Sequence, residues 1–287
     1  MNIIQVYKQF PTQEACIKHL EDVRWHGIPV CPYCKSNRST PLSEANRYHC
    51  NACNTSYSVT VGTIFQKTKV DLQKWFLAIS LVLNAKKGIS ARQLARDIEV
   101  NKNTGWFMLM RVRGAMREQG ELLQGIVEAD ETYIGGKEKN KHNKDKTGGG
   151  QGRSTKSKTA VFGVLERGGK VRAGKVKNTS GKVLKSQIRD LVRKGSTIMT
   201  DEWRAYEGLA QKYIHETINH GGGEYVRGNV HTNSIEGFWA LLKRGIVGQY
   251  HKVSARHLNK YINEFCFRYN NRNNELIFDL AIEKSVA

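Results

Sequence analysis

Cys31-Pro-Tyr-Cys34 and Cys50-Asn-Ala-Cys53 are two CxxC pairs with 15 residues between them. A CxxC lets two sulfurs reach one ion from a tight turn, and the intervening stretch is long enough for a hairpin to bring the second pair back to the first. That spacing matches a tetrahedral Zn(II) site with four thiolates. Four thiolates close the site, so the metal is expected to hold the fold together and catalyse nothing; a ribbon this small cannot bury much core alone. His26 and His49 lie nearby but are not needed as ligands. The remaining cysteines, Cys16 and Cys266, are expected to be core thiols.

The N-terminus MNIIQVYKQF has no secretory pattern, and no apolar run approaches the roughly 20 residues needed to span a bilayer. A cytoplasmic, nucleoid-associated protein without a membrane partner is the expectation, and in that compartment six cysteines argue for metal rather than disulfides. Lys and Arg total 46 against 26 Asp and Glu, a net charge of +20. Such an excess calls for a polyanion. The basic residues are scattered among polar and aromatic ones instead of lining one amphipathic helix, which favours nucleic acid. At 287 residues and 39% apolar content the chain has room for two or three real cores.

Helical spacing covers Pro11 to Trp25, with Thr12 as cap. Asp71 to Lys86 carries Leu72, Trp75, Phe76, Ile79, Val82 and Leu83, an amphipathic stripe that Gly88 ends. Ser90-Ala-Arg-Gln93 has the spacing of a capping box for a short helix through Ile98. A tight connection at Glu99 to Asn101, lacking the glycine common in such turns, leads to a basic third helix from Lys102 to Met116. This pattern matches a helix-turn-helix that presents Lys102, Asn103 and Thr104 to a major groove, with Arg111 and Arg113 as further DNA contacts. An ordinary three-helix bundle would have the same pattern.

From Gly125 the texture changes. GIVEADETYIGG (Gly125 to Gly136) predicts a strand on which Glu128 and Asp130 face one way and Glu131 the other. Carboxylates on a buried strand need a cation or hydrogen bonds, and hard divalent metals with oxygen ligands are natural partners. STIMTDEWRAY (Ser196 to Tyr206) leads a second strand into Asp201 and then a predicted helix, and HTNSIEGFWALLKR (His231 to Arg244) sets Glu236 on another. Taken singly these acids read as a turn acid, a cap and a surface charge. Together, each at the edge of a packed element, they suggest one metal site.

Between the first strand and the next, Lys137 to Lys158 holds eight Lys/Arg and two acids, a basic insertion expected to be mobile and able to lie on phosphates. TAVFGVL (Thr159 to Leu165) and Lys170 to Val176 read as a hairpin joined at Gly168-Gly169. Val183 to Lys194 is helical, and Ile198 to Asp201 returns as a strand. Strand with acid, hairpin, helix, strand with acid, helix with acid is the order of a ribonuclease H-like core. At about 100° per residue, Ile235, Phe238, Trp239 and Leu242 share a buried face. Glu236 and Lys243 lie nearly in line at its border, and Asn233, about 60° round, is a cap or an additional ligand. Leu258 to Tyr269 predicts a last amphipathic helix, followed by Arg268, Asn270, Asn271 and Arg272 as a phosphate-facing or merely solvated edge.

Phosphodiester cleavage needs an activated water and relief of charge on the leaving oxygen. Two Mg(II) or Mn(II) ions about 4 Å apart, held by shared carboxylates, supply both. Asp130 is the expected bridging ligand, with Asp201 on one metal, Glu236 on the other, and Lys243 as a point charge on phosphate.

The chain resembles bacterial insertion-sequence transposases with an N-terminal zinc ribbon and a DDE core, relatives of Merlin elements. The resemblance rests on RWHGIPVCPYC, YHCNACNTSYSVTVGTIF, GISARQLARDI, VEADETYIGG, MTDEWRAY and HTNSIEGFWALLKRG, and on the 34 residues between Asp201 and Glu236. It implies Asp130, Asp201 and Glu236 as triad and Lys243 as the accompanying base, with Asn233 a rival third ligand because some members use Asn. The implied organisation is multidomain α+β: helix and zinc ribbon at 1–66, helix-turn-helix at 67–120, and a ribonuclease H-like domain of mixed sheet and flanking helices at 121–287. The implied activity is binding of the element's terminal inverted repeats, cleavage of 3′ ends and their transfer into target DNA. Two ends must meet, so a homodimer or higher assembly on double-stranded DNA is expected. The alternatives are a DNA-binding regulator with a catalytically inactive core, and a structure-selective nuclease that never joins ends.

Overall fold

The computed structural model describes residues 1–43, 46–118, 120–136, 142–143 and 158–287. Two compact units emerge, one of residues 1–116 with 273–287, the other of residues 117–272. The final fifteen residues therefore leave the catalytic stretch, to which the sequence assigned them, and complete the first unit. The basic insertion at 137–158 falls almost wholly outside the described residues. Among the described residues, no helix is long and apolar enough to cross a membrane.

The first unit opens with α1 (Ile3–Gln9), closed by a capping box between Asn2 and Gln5, and α2 (Gln13–Trp25), capped by the Thr12 side chain accepting from the Ala15 amide. The ribbon follows as three short antiparallel strands, β1 (Ser39–Pro41), β2 (Tyr48–Cys50) and β3 (Thr55–Tyr57). Trp25 at the end of α2 meets Tyr48 and Tyr57 edge-on at 5.3 and 5.8 Å, so aromatic contacts fasten helix to ribbon. Next come α3 (Leu72–Asn84), α4 (Ala91–Asp97) and α5 (Lys102–Ala115). Helix α9 (Ile277–Val286) inserts Phe278 beside Phe76, 5.9 Å between ring centroids, and Phe10 completes the cluster by stacking on Phe278 and meeting Phe76 edge-on.

The α4–α5 turn works without glycine because Glu99 takes a left-handed φ of +52°. The glycine that matters is one turn into α5. A Cβ at Gly105 would lie 2.9 Å from the Ala91 carbonyl and 3.1 Å from the Ala95 Cβ, so its absence lets the two helices touch backbone to backbone.

The second unit is a five-stranded sheet of β4 (Ile126–Ile134), β5 (Thr159–Glu166), β6 (Val171–Lys175), β7 (Thr197–Asp201) and β8 (Ile214–Ile218), in the order β6-β5-β4-β7-β8. The hairpin side is antiparallel, whereas β4–β7 and β7–β8 are parallel. One face buries Val127, Ala129, Phe162 and Val164 under α6 (Gly181–Leu191). The other buries Val161, Leu165 and Val171 under α7 (Asn233–Gly245) and α8 (Leu258–Asn270). This is the mixed sheet with flanking helices of a ribonuclease H-like core.

Two expectations need correction. Asp201 is followed by short 3-10 turns at Arg204–Tyr206 and Leu209–Gln211 and then strand β8, not by a helix. The supposed phosphate edge at the end of α8 is largely used internally: Arg268 pairs with buried Glu264, Asn270 exchanges two hydrogen bonds with the Val171 backbone and Asn271 donates to the Phe267 carbonyl, while Arg272 stays exposed and donates to the Tyr269 carbonyl.

Candidate active site and zinc centre

The four cysteine sulfurs converge. Cys31 Sγ lies 3.7 Å from Cys53 Sγ and Cys34 Sγ 3.5 Å from Cys50 Sγ, and all four are within 4.8 Å of one another. A zinc ion with Zn–S bonds of about 2.3 Å needs tetrahedral S–S edges of about 3.8 Å. The set therefore fits a tetrahedral Zn(II) site. Backbone N–H groups of Cys53 and Ala52 hold the Cys50 thiol down to about 6, favouring the thiolate that binds metal.

The acids are assembled differently. The parallel register runs from Ile126 beside Thr197 to Glu128 beside Met199, and two residues beyond its last pair Asp130 and Asp201 both alternate onto the face covered by α7. Burial, with the nearby carboxylates of Glu131, Asp201 and Glu236, pushes Asp130 up to about 7. Asp201 accepts from the Trp203 amide at 3.1 Å. Glu236 sits in the first turn of α7, where it accepts the Thr232 hydroxyl at 2.8 Å and lies 3.9 Å from His220 Nε2. Asn233 and Lys243 are both exposed on the same helix, at its first position and in its last turn. Glu131 points to the opposite face and accepts the Tyr206 hydroxyl at 2.8 Å.

Asp130 also has a partner that sequence reasoning missed. Trp239 Nε1 donates to Asp130 Oδ2 at 3.0 Å, and its indole lies across Gly163, the residue paired with Asp130 on β5. A Cβ at Gly163 would come within 2.6 and 2.8 Å of the ring, so a bare backbone is what allows the indole to reach the acid. A lone glycine inside the apolar run TAVFGVL was the available signal. All the acids offer hard oxygen donors, and a buried carboxyl crowded by like charges is stabilised by a cation.

The first unit separates the DNA-contact residues named from sequence. Lys102 and Asn103 are exposed at the start of α5, and Thr104 is half-buried. Arg111 and Arg113 are not free for DNA. Arg111 donates to the carbonyls of Ile64 and Gln66 and lies over the Phe107 ring, while Arg113 is 1% exposed and donates to the Ile89 carbonyl. Alternation with apolar residues had suggested a basic face, but at 3.6 residues per turn Arg113 falls on the inward stripe of Leu109 and Val112.

A zinc ribbon joined to a carboxylate-bearing ribonuclease H-like sheet defines a class of nucleic-acid-processing protein. Within it, the chain belongs to the ISXO2-like transposase family: that domain's model matches residues 122–270, and the transposase zinc-ribbon model matches residues 11–56. An uncharacterized protein in transposable element ISH50 of Halobacterium salinarum is 29% identical over 273 residues, 91% of this chain and 92% of its own length. An uncharacterized transposase-like protein of Haemophilus influenzae is 29% identical over 97 residues, 33% of this chain and 77% of its own. Among solved structures, a simian T-cell lymphotropic virus intasome bound to a PP2A regulatory subunit overlaps 61% of this chain at 14% identity and a TM-score of 0.31; the chain spans 63% of that protein's length. A Mos1 transposase paired-end complex overlaps 73% of this chain and 78% of its own, at 12% identity and a TM-score of 0.29.

Proposed function

We propose that this transposase binds the terminal inverted repeats of its own element, cleaves 3′ ends by metal-assisted hydrolysis and transfers them into target DNA, working as a dimer or higher assembly. One observation carries the catalytic part. Asp130 and Asp201 lie two residues beyond Glu128 and Met199, the last paired positions of adjacent parallel strands, on the face that α7 covers, and burial, with the carboxylates of Glu131, Asp201 and Glu236, raises the pKa of Asp130 to about 7.

In this reading Asp130, Asp201 and Glu236 hold two Mg(II) or Mn(II) ions, with Asn233 the rival to Glu236. When bound, such ions activate a water or a 3′-hydroxyl and relieve charge on the leaving oxygen. The chain's own groups do the rest. Trp239 fixes one oxygen of Asp130, and Thr232 orients Glu236. Lys243, exposed on the same helix as Glu236, places a point charge on phosphate. Lys102, Asn103 and Thr104 at the start of α5 meet the major groove, while the ribbon is kept folded by Zn(II).

The test is nicking of a DNA end that carries the element's terminal repeat, with Mg(II) or Mn(II). Asp130→Ala and Asp201→Ala should each lower it by about a thousandfold or more, roughly 4 kcal/mol of transition-state stabilisation, with DNA affinity unchanged. Wild-type protein that binds the repeat but never nicks it would make the chain a regulator with an inactive core. Nicked ends that never join a second duplex would make it a nuclease.

A further inference from the structure

Glu128 precedes Asp130 by two residues on the same face of β4 and is completely buried. Its carboxylate accepts four hydrogen bonds: from the Ser234 amide at 2.9 Å, the Ser234 hydroxyl at 3.0 Å, the Ile235 amide at 3.0 Å and Arg167 Nε at 2.7 Å. His231 Nδ1 stands 3.4 Å away. The two amides belong to the first turn of α7, so a carboxylate more than a hundred residues upstream caps that helix.

The local residue for that task is Thr232, which occupies the N-cap position but makes no side-chain cap bond. Its hydroxyl donates to Glu236 instead. Arg167 completes the arrangement. While Nε holds Glu128, Nη1 donates to the Asn229 carbonyl at 2.6 Å and Nη2 to the His231 carbonyl at 2.8 Å, fixing the segment that enters α7. One strand thus carries Asp130 and, about 7 Å along it, the anchor of the helix that carries Glu236. A buried ion pair is weak evidence of a gain in stability, since well-packed apolar groups often serve as well. What this one supplies is a fixed spacing.

We propose that Glu128 and Arg167 form a positioning clamp that sets Glu236, and with it Asn233, against Asp130, so that the site's cation affinity depends on a pair that touches neither cation nor substrate. This rests on the reading of Asp130, Asp201 and Glu236 as a cation site. Groups that orient metal ligands from behind typically change affinity or activity by about 10–100-fold when lost.

The full-length, zinc-loaded protein is titrated with Mn(II) by electron paramagnetic resonance, and amide exchange is followed in α7 and in the sheet. Glu128→Gln keeps the shape but removes the charge and one acceptor. It should speed exchange in the first turn of α7, leave β4 and β5 protected, and weaken Mn(II) binding about 10–100-fold. Ser234→Ala, which removes a single bond to Glu128, should weaken it by a smaller factor, about 3–10-fold, and carries the test if Glu128→Gln does not fold. Binding that Asp130→Ala abolishes but both clamp variants keep within twofold overturns the clamp alone. Binding that Asp130→Ala leaves intact overturns the cation-site reading and the clamp with it.

Discussion

The two metal-suited sites of this chain are built on opposite plans. The four thiols come from two tight turns on a single small ribbon and already lie within 4.8 Å of one another. The carboxylates come from β4, β7 and α7, and among the described residues only the cysteines gather three or more His, Cys, Asp or Glu ligand atoms that closely. A thiol can stay neutral beside its neighbours, and a local turn fixes its place. Acids repel, so they have to be held by a sheet register and a docked helix that exist for other reasons. The ribbon is therefore expected to depend on its ion to fold, and the sheet to fold despite its acids.

That contrast is broken most easily at the zinc end. Structural zinc contributes about 10–16 kcal/mol in small ribbon-like peptides, so chelation or Cys50→Ser should unfold residues 31–57 outright. Amide exchange reads it directly: β1–β3 lose protection while β4–β8 keep theirs. Protected ribbon amides in zinc-free protein would mean that Trp25, Tyr48 and Tyr57 suffice to hold it.

At the acid end the sign reverses, because removing a buried carboxylate should stabilise the protein. Asp130 has its pKa raised from 3.8 to about 7. Below pH 4 both folded and unfolded forms are protonated and no penalty exists. Between about 4 and 7 the unfolded chain releases a proton that the folded one retains, so stability falls as pH rises and levels off above 7. The loss is on the order of 2–4 kcal/mol. Without divalent cations, Asp130→Asn should therefore unfold at higher urea than wild type at pH 8, by an increment that shrinks as pH falls toward 4. A constant difference across that range would show that Asp130 is not desolvated.

Legibility in the sequence follows the same division. Two CxxC pairs define the zinc centre because every ligand is within a turn of another. The amphipathic helices and the hairpin were equally readable from period, and Asp130, Asp201 and Glu236 could be named because each ends or borders an apolar run. What could not be read was pairing. Strand β8, with His215 and Glu216 in the short run IHETI, carries no periodic signal of its own and becomes a strand by lying beside β7. Helix α9 reads as an extension of the nearest domain until Phe278 finds Phe76. Arg113 and Arg268 look like DNA contacts in a basic chain, yet each is used internally.

A smaller effect tests the packing that aims Asp130. Gly163→Ala puts a methyl where the Trp239 ring lies, so the indole must shift and loosen its bond to Asp130. The expected loss is about 1–3 kcal/mol of stability, with a change in tryptophan emission, and no counterpart in the ribbon. Gly105→Ala in α5 is the matching control, since it strains the α4–α5 contact without touching the acids. An unchanged urea midpoint for Gly163→Ala would mean that the ring moves aside freely.

The smallest effect concerns α5, where one local pattern contained both exposed and buried cations. Lys102 is on the exposed first turn, so Lys102→Ala should weaken DNA binding by about 1 kcal/mol and reduce the slope of log affinity against log salt by about one, as expected for one lost phosphate contact. Arg113 is buried against the Ile89 carbonyl, so Arg113→Met should change thermal stability and leave that slope alone. The two variants carry the same formal charge change, which makes net charge irrelevant to the comparison. If both lower the slope equally, binding responds to the overall field of the protein and not to the face that α5 presents. If only Lys102→Ala does, the helix has a defined DNA side, and burial, rather than residue type, decides which of its cations belong to it.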